Sequence, residues 1–213
     1  MQVVAVNVAE PRDVEWNGQT VRTSIFKLPV PGKVAVRKLN LEGDAQADLT
    51  VHGGPDKAIY AYAMEHYRHW ESRLERTLSP AAFGENLTTE GLFEDRVHIG
   101  DEFQVGTARL VATQCRLPCY KLGIRFADPG MVRLFLKSRR PGIYFAVVEE
   151  GEVGPGDAIE LVRSDERRVT VSEMLAIVLD RKTPADDLRR LLDVPALASV
   201  WREELESRLT NDS

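Results

Sequence analysis

Two thiols four positions apart, Cys115 and Cys119, sit in the stretch Gln114-Cys115-Arg116-Leu117-Pro118-Cys119-Tyr120-Lys121-Leu122, with Arg116 and Lys121 beside them. Nearby cations lower a thiol pKa toward the thiolate, which is the form that attacks electrophiles and binds soft metals. A disulfide between the two would close too small a loop to stabilise much. In a reducing compartment such a pair reads as a metal ligand or redox group, and a buried free thiol is the plainer account of either cysteine.

Two further clusters combine glycine with groups able to bind an anion. In Val51-His52-Gly53-Gly54-Pro55-Asp56-Lys57, shortly after Gly43-Asp44-Ala45-Gln46-Ala47-Asp48, paired glycines let the backbone approach a ligand, and successive N–H groups can form an anion nest with Lys57 adding charge. A tight turn with a hydrogen-bonded His52 is the structural alternative. In Phe83-Gly84-Glu85-Asn86-Leu87-Thr88, Asn86 and Thr88 could donate to a polar ligand, and an Asx-type turn explains the same residues. Other templates are missing: the chain has no Walker A loop, dinucleotide glycine fingerprint, His-Glu-x-x-His helix or Gly-x-Ser-x-Gly elbow. His66 and His69 fall on a predicted helix beside Trp70, where packing or surface roles suit them better than zinc.

The elements that must position these groups fit into 213 residues, enough for one domain or one with a small appendage. Lys and Arg number 28 against 33 Asp and Glu, a net charge of −5, so the chain as a whole has no drive to coat nucleic acid or a membrane surface. The charge is uneven: residues 109–140 hold eight basic side chains and one acidic, leaving +7 there and −12 elsewhere. Such a distribution suits one compact anion. No apolar run is long enough to span a bilayer, and residues 1–10 lack the features of a secretory signal, so the expected address is cytoplasmic.

Short runs rich in Val, Ile, Phe and Tyr, separated by Gly, Pro, Asn and Asp, predict strands at 3–8, 24–27, 34–39, 58–62, 96–99, 102–105, 109–113, 143–148 and 158–162. Many short strands at this spacing predict a barrel or sandwich. Helices are expected at 65–74, after the Ser79-Pro80 cap, and from Asp128-Pro129 to about Ser138. Beyond Arg163 the pattern turns helical: Ser172 caps a helix to about Asp180, Thr183-Pro184 a second to Leu192, and a third carries Leu197, Val200, Trp201 and Leu205 on one face. The expected division is a domain at 1–165 and a three-helix unit at 166–213.

In this order the clusters resemble the MOSC domain, named for the C-terminal domain of molybdenum cofactor sulfurases, and its stand-alone YiiM-type branch. The matching residues are Leu41-Glu42-Gly43-Asp44-Ala45-Gln46, Val51 to Lys57, Phe83-Gly84-Glu85-Asn86-Leu87, Ile99-Gly100-Asp101 and Arg116 to Leu122. The resemblance implies a mainly β fold with α, a barrel-like core with peripheral helices and a small C-terminal three-helix appendage. It also implies a molybdenum cofactor, a molybdopterin whose metal is bound by one cysteine. Cys119 stands at that cysteine position, while Cys115 stands where the branch usually has proline. Cofactor-binding roles are thereby implied for Gln46, His52, Gly53, Gly54, Lys57, Asn86, Arg116 and Cys119.

The implied activity is reduction of N-hydroxylated compounds, such as 6-hydroxylaminopurine, to amines, with Cys119 holding the metal and His52 a candidate proton donor. No flavin or nicotinamide signature is present, so electrons would come from a separate reductase. The tail offers a docking surface for that partner, or serves domain packing or a homodimer. A cofactor-delivery or sulfur-carrier protein, and a thiol sensor using both cysteines, are the rival readings.

Overall fold

The computed structural model describes residues 1–47 and 53–211. Eight strands form one mixed sheet in the order β12-β8-β9-β10-β6-β7-β1-β4. In chain order these are β1 (Gln2–Val8), β4 (Leu28–Val30), β6 (Ile59–Ala63), β7 (Leu87–Glu90), β8 (Glu102–Val105), β9 (Ala108–Cys115), β10 (Ile143–Glu149) and β12 (Ile159–Arg163). β6 and β7 pair in parallel and are joined through α1 (Glu65–Leu74), while the other neighbours are antiparallel. Two small pairs flank the sheet: the hairpin β2 (Arg12–Trp16) with β3 (Gln19–Thr23), and β5 (Val34–Val36) with β11 (Gly151–Val153). The hairpin turns on Asn17-Gly18, both at positive φ, which is the two-residue turn whose twist matches the strands.

The predicted barrel is not closed by strand pairing: β12 and β4 are the two edges of the sheet. The sheet nevertheless rolls far enough for the start of β12 and the chain before it to reach the N-terminal segment that carries β1. Val3 N–H donates to Asp157 O at 2.9 Å, Gly156 N–H to Val3 O at 2.8 Å and Ile159 N–H to Met1 O at 2.9 Å.

β6 shows why the interior has two parts. All five of its residues are buried, and successive side chains leave opposite faces of the strand. Ile59 and Ala61 enter the large aliphatic core with Phe103, Leu110 and Phe145, while Tyr60 and Tyr62 enter an aromatic cluster. That cluster is roofed by Trp70 of α1, Leu122 and Phe126 of α2 (Tyr120–Phe126), and Met131 and Phe135 of α3 (Met131–Ser138). Trp70 and Phe135 stack 8° from parallel with centroids 5.8 Å apart, and the Trp70 indole N–H donates to Tyr62 Oη at 2.7 Å. A buried aromatic thus keeps its polar atom satisfied.

The tail helices α4 (Val171–Leu179), α5 (Ala185–Leu192) and α6 (Ser199–Asn211) put Met174, Leu175, Leu188, Leu191 and Leu205 into the same aliphatic core as the sheet. α4 is capped by Thr170, two residues before the expected Ser172, in a reciprocal capping box with Glu173. Thr183 does not cap α5, because its hydroxyl donates back to the carbonyls of Ile177 and Asp180. α6 starts only at Ser199, so Leu197 precedes it and Val200 points outward, while Trp201 and Leu205 keep the expected face.

Three other expectations fail for identifiable reasons. Residues 24–27 form the bend between β3 and β4 rather than a strand, with the Ile25 N–H donating to Thr23 Oγ1 at 3.2 Å. Residues 96–99 make only one isolated bridge, His98 to Thr170. The Ser79-Pro80 helix is replaced by turns, since Ala81 sits at φ +68° and the buried Glu85 carboxylate takes the N–H groups of Ala81 and Phe83 at 3.0 and 3.1 Å.

Candidate cofactor cleft

A cleft opens where β9 ends, lined by parts of residues 23–27, 44–47, 53–60, 84–86 and 116–121 and by Tyr144. It gathers Gln46, Gly53, Lys57, Asn86, Arg116 and Cys119 from the sequence-derived set. Gly54 lies beside it, in a neighbouring groove that shares Gly53 and Lys57 with the cleft. His52 lies outside the described residues.

β9 sorts the two cysteines. Cys115, its last residue, is buried in the aliphatic core, and burial pushes its thiol up to about 12, so it is a protonated packing group. Arg116 then turns into the cleft. Cys119, half-buried, precedes α2 in extended conformation and lines the cleft. A pair used jointly as a thiol sensor would need both thiols in one accessible place, and the fold separates them.

Arg116 is held by ring stacking and by hydrogen bonding. Its guanidinium carbon lies 4.6 Å from the centroid of Tyr60 and 5.6 Å from that of Phe135, and Nη1 donates to the Phe83 carbonyl. The N–H of the same Phe83 donates to Glu85, whose fully buried carboxylate also accepts from Tyr67 Oη and from Thr88 Oγ1 at 3.0 Å. Burial raises the Glu85 pKa, with the Tyr67 hydroxyl the first of the donors opposing it. Thr88 is wholly enclosed in this network and does not line the cleft.

Asn86 lines the cleft, but its amide is committed to the protein. Oδ1 accepts the Tyr60 N–H at 3.1 Å, and Nδ2 donates to Asp44 Oδ2 at 2.8 Å and to Asn7 O at 3.4 Å. It ties β1, β6 and the 44–47 segment together. Asp44 in turn forms a buried ion pair with Lys27 and accepts the Ala9 N–H at 2.9 Å. Burial lowers the Lys27 pKa, and Asp44 is the main influence holding it up.

Sequence reasoning missed Ser24, Lys27, Lys121 as a cleft-lining cation, and Tyr144. The charge also comes from a wider area than the 109–140 segment suggested. Of its eight basic residues, Arg116 and Lys121 line the cleft, whereas Arg109 pairs with Glu149 and Glu102, and Arg125 lies 5.3 Å from the Phe26 centroid. Lys27 and Lys57 complete the set, so among the described lining residues four cations accompany one acid, Asp44, which pairs with Lys27.

Residues 48–160 match the MOSC domain, and residues 169–212 match the YiiM-like, 3-alpha helix domain. The chain belongs to the MOSC domain family. Protein YiiM of Escherichia coli (strain K12) is 37% identical over 190 residues, covering 87% of this chain and 84% of that protein. The crystal structure of YiiM from Geobacillus stearothermophilus has a TM-score of 0.83 at 34% identity, with 98% of each chain covered. A protein named Reductase from Gibberella moniliformis (strain M3125 / FGSC 7600) is 28% identical over 199 residues, 89% of this chain and 35% of that protein.

The residues of this MOSC chain fit an anionic, metal-bearing group by chemistry. Ser24 Oγ is buried in the cleft wall and has no hydrogen-bond partner among the described residues, a donor left for a ligand. Four cations suit phosphate, and Cys119 supplies one soft sulfur. Among the described residues no three of His, Cys, Asp or Glu come together as metal ligands, so a metal in this MOSC cleft would take most of its ligands from a cofactor.

Proposed function

We propose that this chain is a molybdenum-cofactor-dependent reductase that converts N-hydroxylated compounds, such as 6-hydroxylaminopurine, to amines with electrons from a separate reductase. The observation that carries this reading is the meeting of the Cys119 thiol with Arg116, Lys27, Lys57 and Lys121 in one cleft. Membership of the MOSC family and a relative named Reductase support the redox class. When bound, the cofactor supplies two-electron chemistry at a metal able to take up oxygen.

Cys119 would hold the metal through its thiolate. Arg116 offers a fixed planar fork to phosphate, the lysines add point charges, and Ser24 donates one hydrogen bond. His52, next to the cleft-lining Gly53 in sequence, is assigned the proton delivery to the departing oxygen. The net change is R–NHOH plus two electrons and two protons giving R–NH2 and water. The chain carries no dinucleotide fingerprint, so a partner brings the electrons. A cytoplasmic address goes with this reading; among the described residues no helix is long and apolar enough to cross a membrane.

The test is metal analysis of the protein made in a host that synthesises molybdenum cofactor, alongside Cys119→Ala. Wild type is expected to carry molybdenum and Cys119→Ala to lose most of it. Equally negligible molybdenum in both, where a control molybdoenzyme loads, would overturn the assignment.

A further inference from the structure

The loop that brings Gly53 and Lys57 to the cleft is fastened to the C-terminal helical unit. Asp56 Oδ2 accepts the Ser199 N–H at 2.9 Å and the Ser199 hydroxyl at 3.1 Å, so a residue 143 positions away supplies the cap at the start of α6. On its other side the Asp56 carbonyl accepts Thr113 Oγ1 at 2.7 Å and Gln114 Nε2 at 3.3 Å, both from β9. Gln114 completes the circuit, because its Oε1 accepts the Trp201 indole N–H at 2.8 Å. The Ala198 N–H also donates to Thr113 O at 3.3 Å. One loop is therefore fixed from both sides, by the strand that leads into Arg116 and Cys119 and by the first turn of α6.

This fastening is specific in a way that general packing is not. Gly54 stands at φ +85° with nothing within 4 Å of where a Cβ would lie, so side-chain packing at Gly54 does not hold the turn in place. Within the described residues 53–57 the backbone bond is Lys57 N–H donating to Gly54 O at 3.1 Å, across one short 3-10 turn. The polar clamp through Asp56, Gln114 and Trp201 restrains the loop from outside.

We propose that α6 is a positioning element of the cleft: Asp56 and Trp201 set the geometry of the Gly53–Lys57 loop, and with it the affinity for an anion. The tail then belongs to the binding machinery. The anion in this statement rests on the proposed cofactor reading; the positioning of the loop does not.

The experiment compares full-length wild type, Asp56→Asn, Asp56→Ala and Trp201→Phe by amide hydrogen exchange over residues 53–57 and by calorimetric titration with inorganic phosphate and with molybdate. Asparagine caps as well as aspartate, so Asp56→Asn should keep both properties. Asp56→Ala and Trp201→Phe should speed exchange in the loop and weaken anion binding by about five-fold, the factor that corresponds to one cap of typical strength. Wild-type exchange and affinity in Asp56→Ala, even with a lowered Tm, would overturn the proposal, because the cap would then stabilise α6 alone. If Asp56→Ala does not fold, Trp201→Phe decides the same point. If wild type binds neither anion, the part of the proposal that concerns anion affinity falls, the cofactor reading is decided separately by molybdenum loading, and the exchange comparison still decides the positioning.

Discussion

The Arg116 guanidinium and the Tyr60 ring lie 4.6 Å apart, carbon to centroid, with the Tyr60 hydroxyl donating to Pro141 O at 2.8 Å. The ring belongs to β6 and the cation to the segment after β9, so their contact fixes the cleft floor to the sheet. Lysine cannot reproduce the fork or the stack. Arg116→Lys is expected to cost about 2 kcal/mol in stability from the lost ring and carbonyl contacts and to lower phosphate affinity at least ten-fold. Urea denaturation and calorimetry measure the two; unchanged phosphate affinity would remove Arg116 from the anion site.

Gly142 stands at φ +72°, and a Cβ there would lie 2.6 Å from Tyr60 Cε2 and 2.7 Å from the Ala61 carbonyl oxygen. The ring could shift; the backbone of a central strand cannot. Gly142→Ala is expected to cost about 2–4 kcal/mol through left-handed strain and overpacking, and to disturb Arg116 through the displaced ring. A lower urea midpoint at constant m, with weaker anion binding, is the expected pair of results. A wild-type midpoint would show that the backbone at this point yields.

Legibility in the sequence followed the length and regularity of each pattern. β1, β8, β10, α1 and the three tail helices were readable because their apolar residues recur at strand or helix spacing over enough positions. Asn17-Gly18 signalled the β2–β3 hairpin, yet the flanking residues are too polar to read as strands by burial. α2 was hidden by its seven-residue length and by Gly123 within it. At the site, ordered motifs made Arg116, Cys119, Gly53 and Lys57 visible. Lys27 and Ser24 stayed hidden because only the fold brings the bend before β4 against Asp44 and Arg116. Asn86 was visible as a polar group, but its commitment to Asp44, Asn7 and Tyr60 depends on three distant segments.

The two cysteines should differ in reactivity. Cys115 is 1% exposed with its pKa raised to about 12 by burial, whereas Cys119 is half-buried at the cleft. Iodoacetamide on native protein near pH 8 should alkylate Cys119 and spare Cys115, as read by peptide mass spectrometry. Because the folded Cys115 pKa is raised from an ordinary 9.0, its contribution to stability is full below pH 9 and is lost as pH rises toward 12. Cys115→Ala should therefore flatten the alkaline arm of the stability curve. Fast alkylation of Cys115 at pH 8 would contradict its placement in the core.

In the proposed function His52 delivers a proton and takes no share in holding the metal. His52→Ala is accordingly expected to retain molybdenum while turnover of an N-hydroxylated substrate falls by about 10²–10⁴-fold, the range general acid catalysis contributes. Turnover equal to wild type with equal loading would reject that role. Loss of metal together with activity would leave His52 only the cofactor-binding role that the family resemblance also implies for it.

Lys27 and Asp44 form an ion pair whose side chains are 9% and 1% exposed, and the carboxylate also accepts from Ala9 and Asn86. Removing one charge leaves the other buried without its counter-charge, which is costlier than removing both. Asp44→Asn should cost about 3–5 kcal/mol, Lys27→Met a comparable amount, and the double variant clearly less than their sum. The pH dependence has a defined sign. Burial depresses the folded Lys27 pKa below 10.5, so the penalty for keeping it charged is greatest at low pH and disappears as pH rises through that window. In Asp44→Asn the depression deepens, and the variant should recover stability relative to wild type between neutral pH and pH 10. Urea titrations at several pH values provide the measurement. Strictly additive single costs with no relative recovery would mean that the two charges are independently solvated and that the cleft wall does not depend on their pairing.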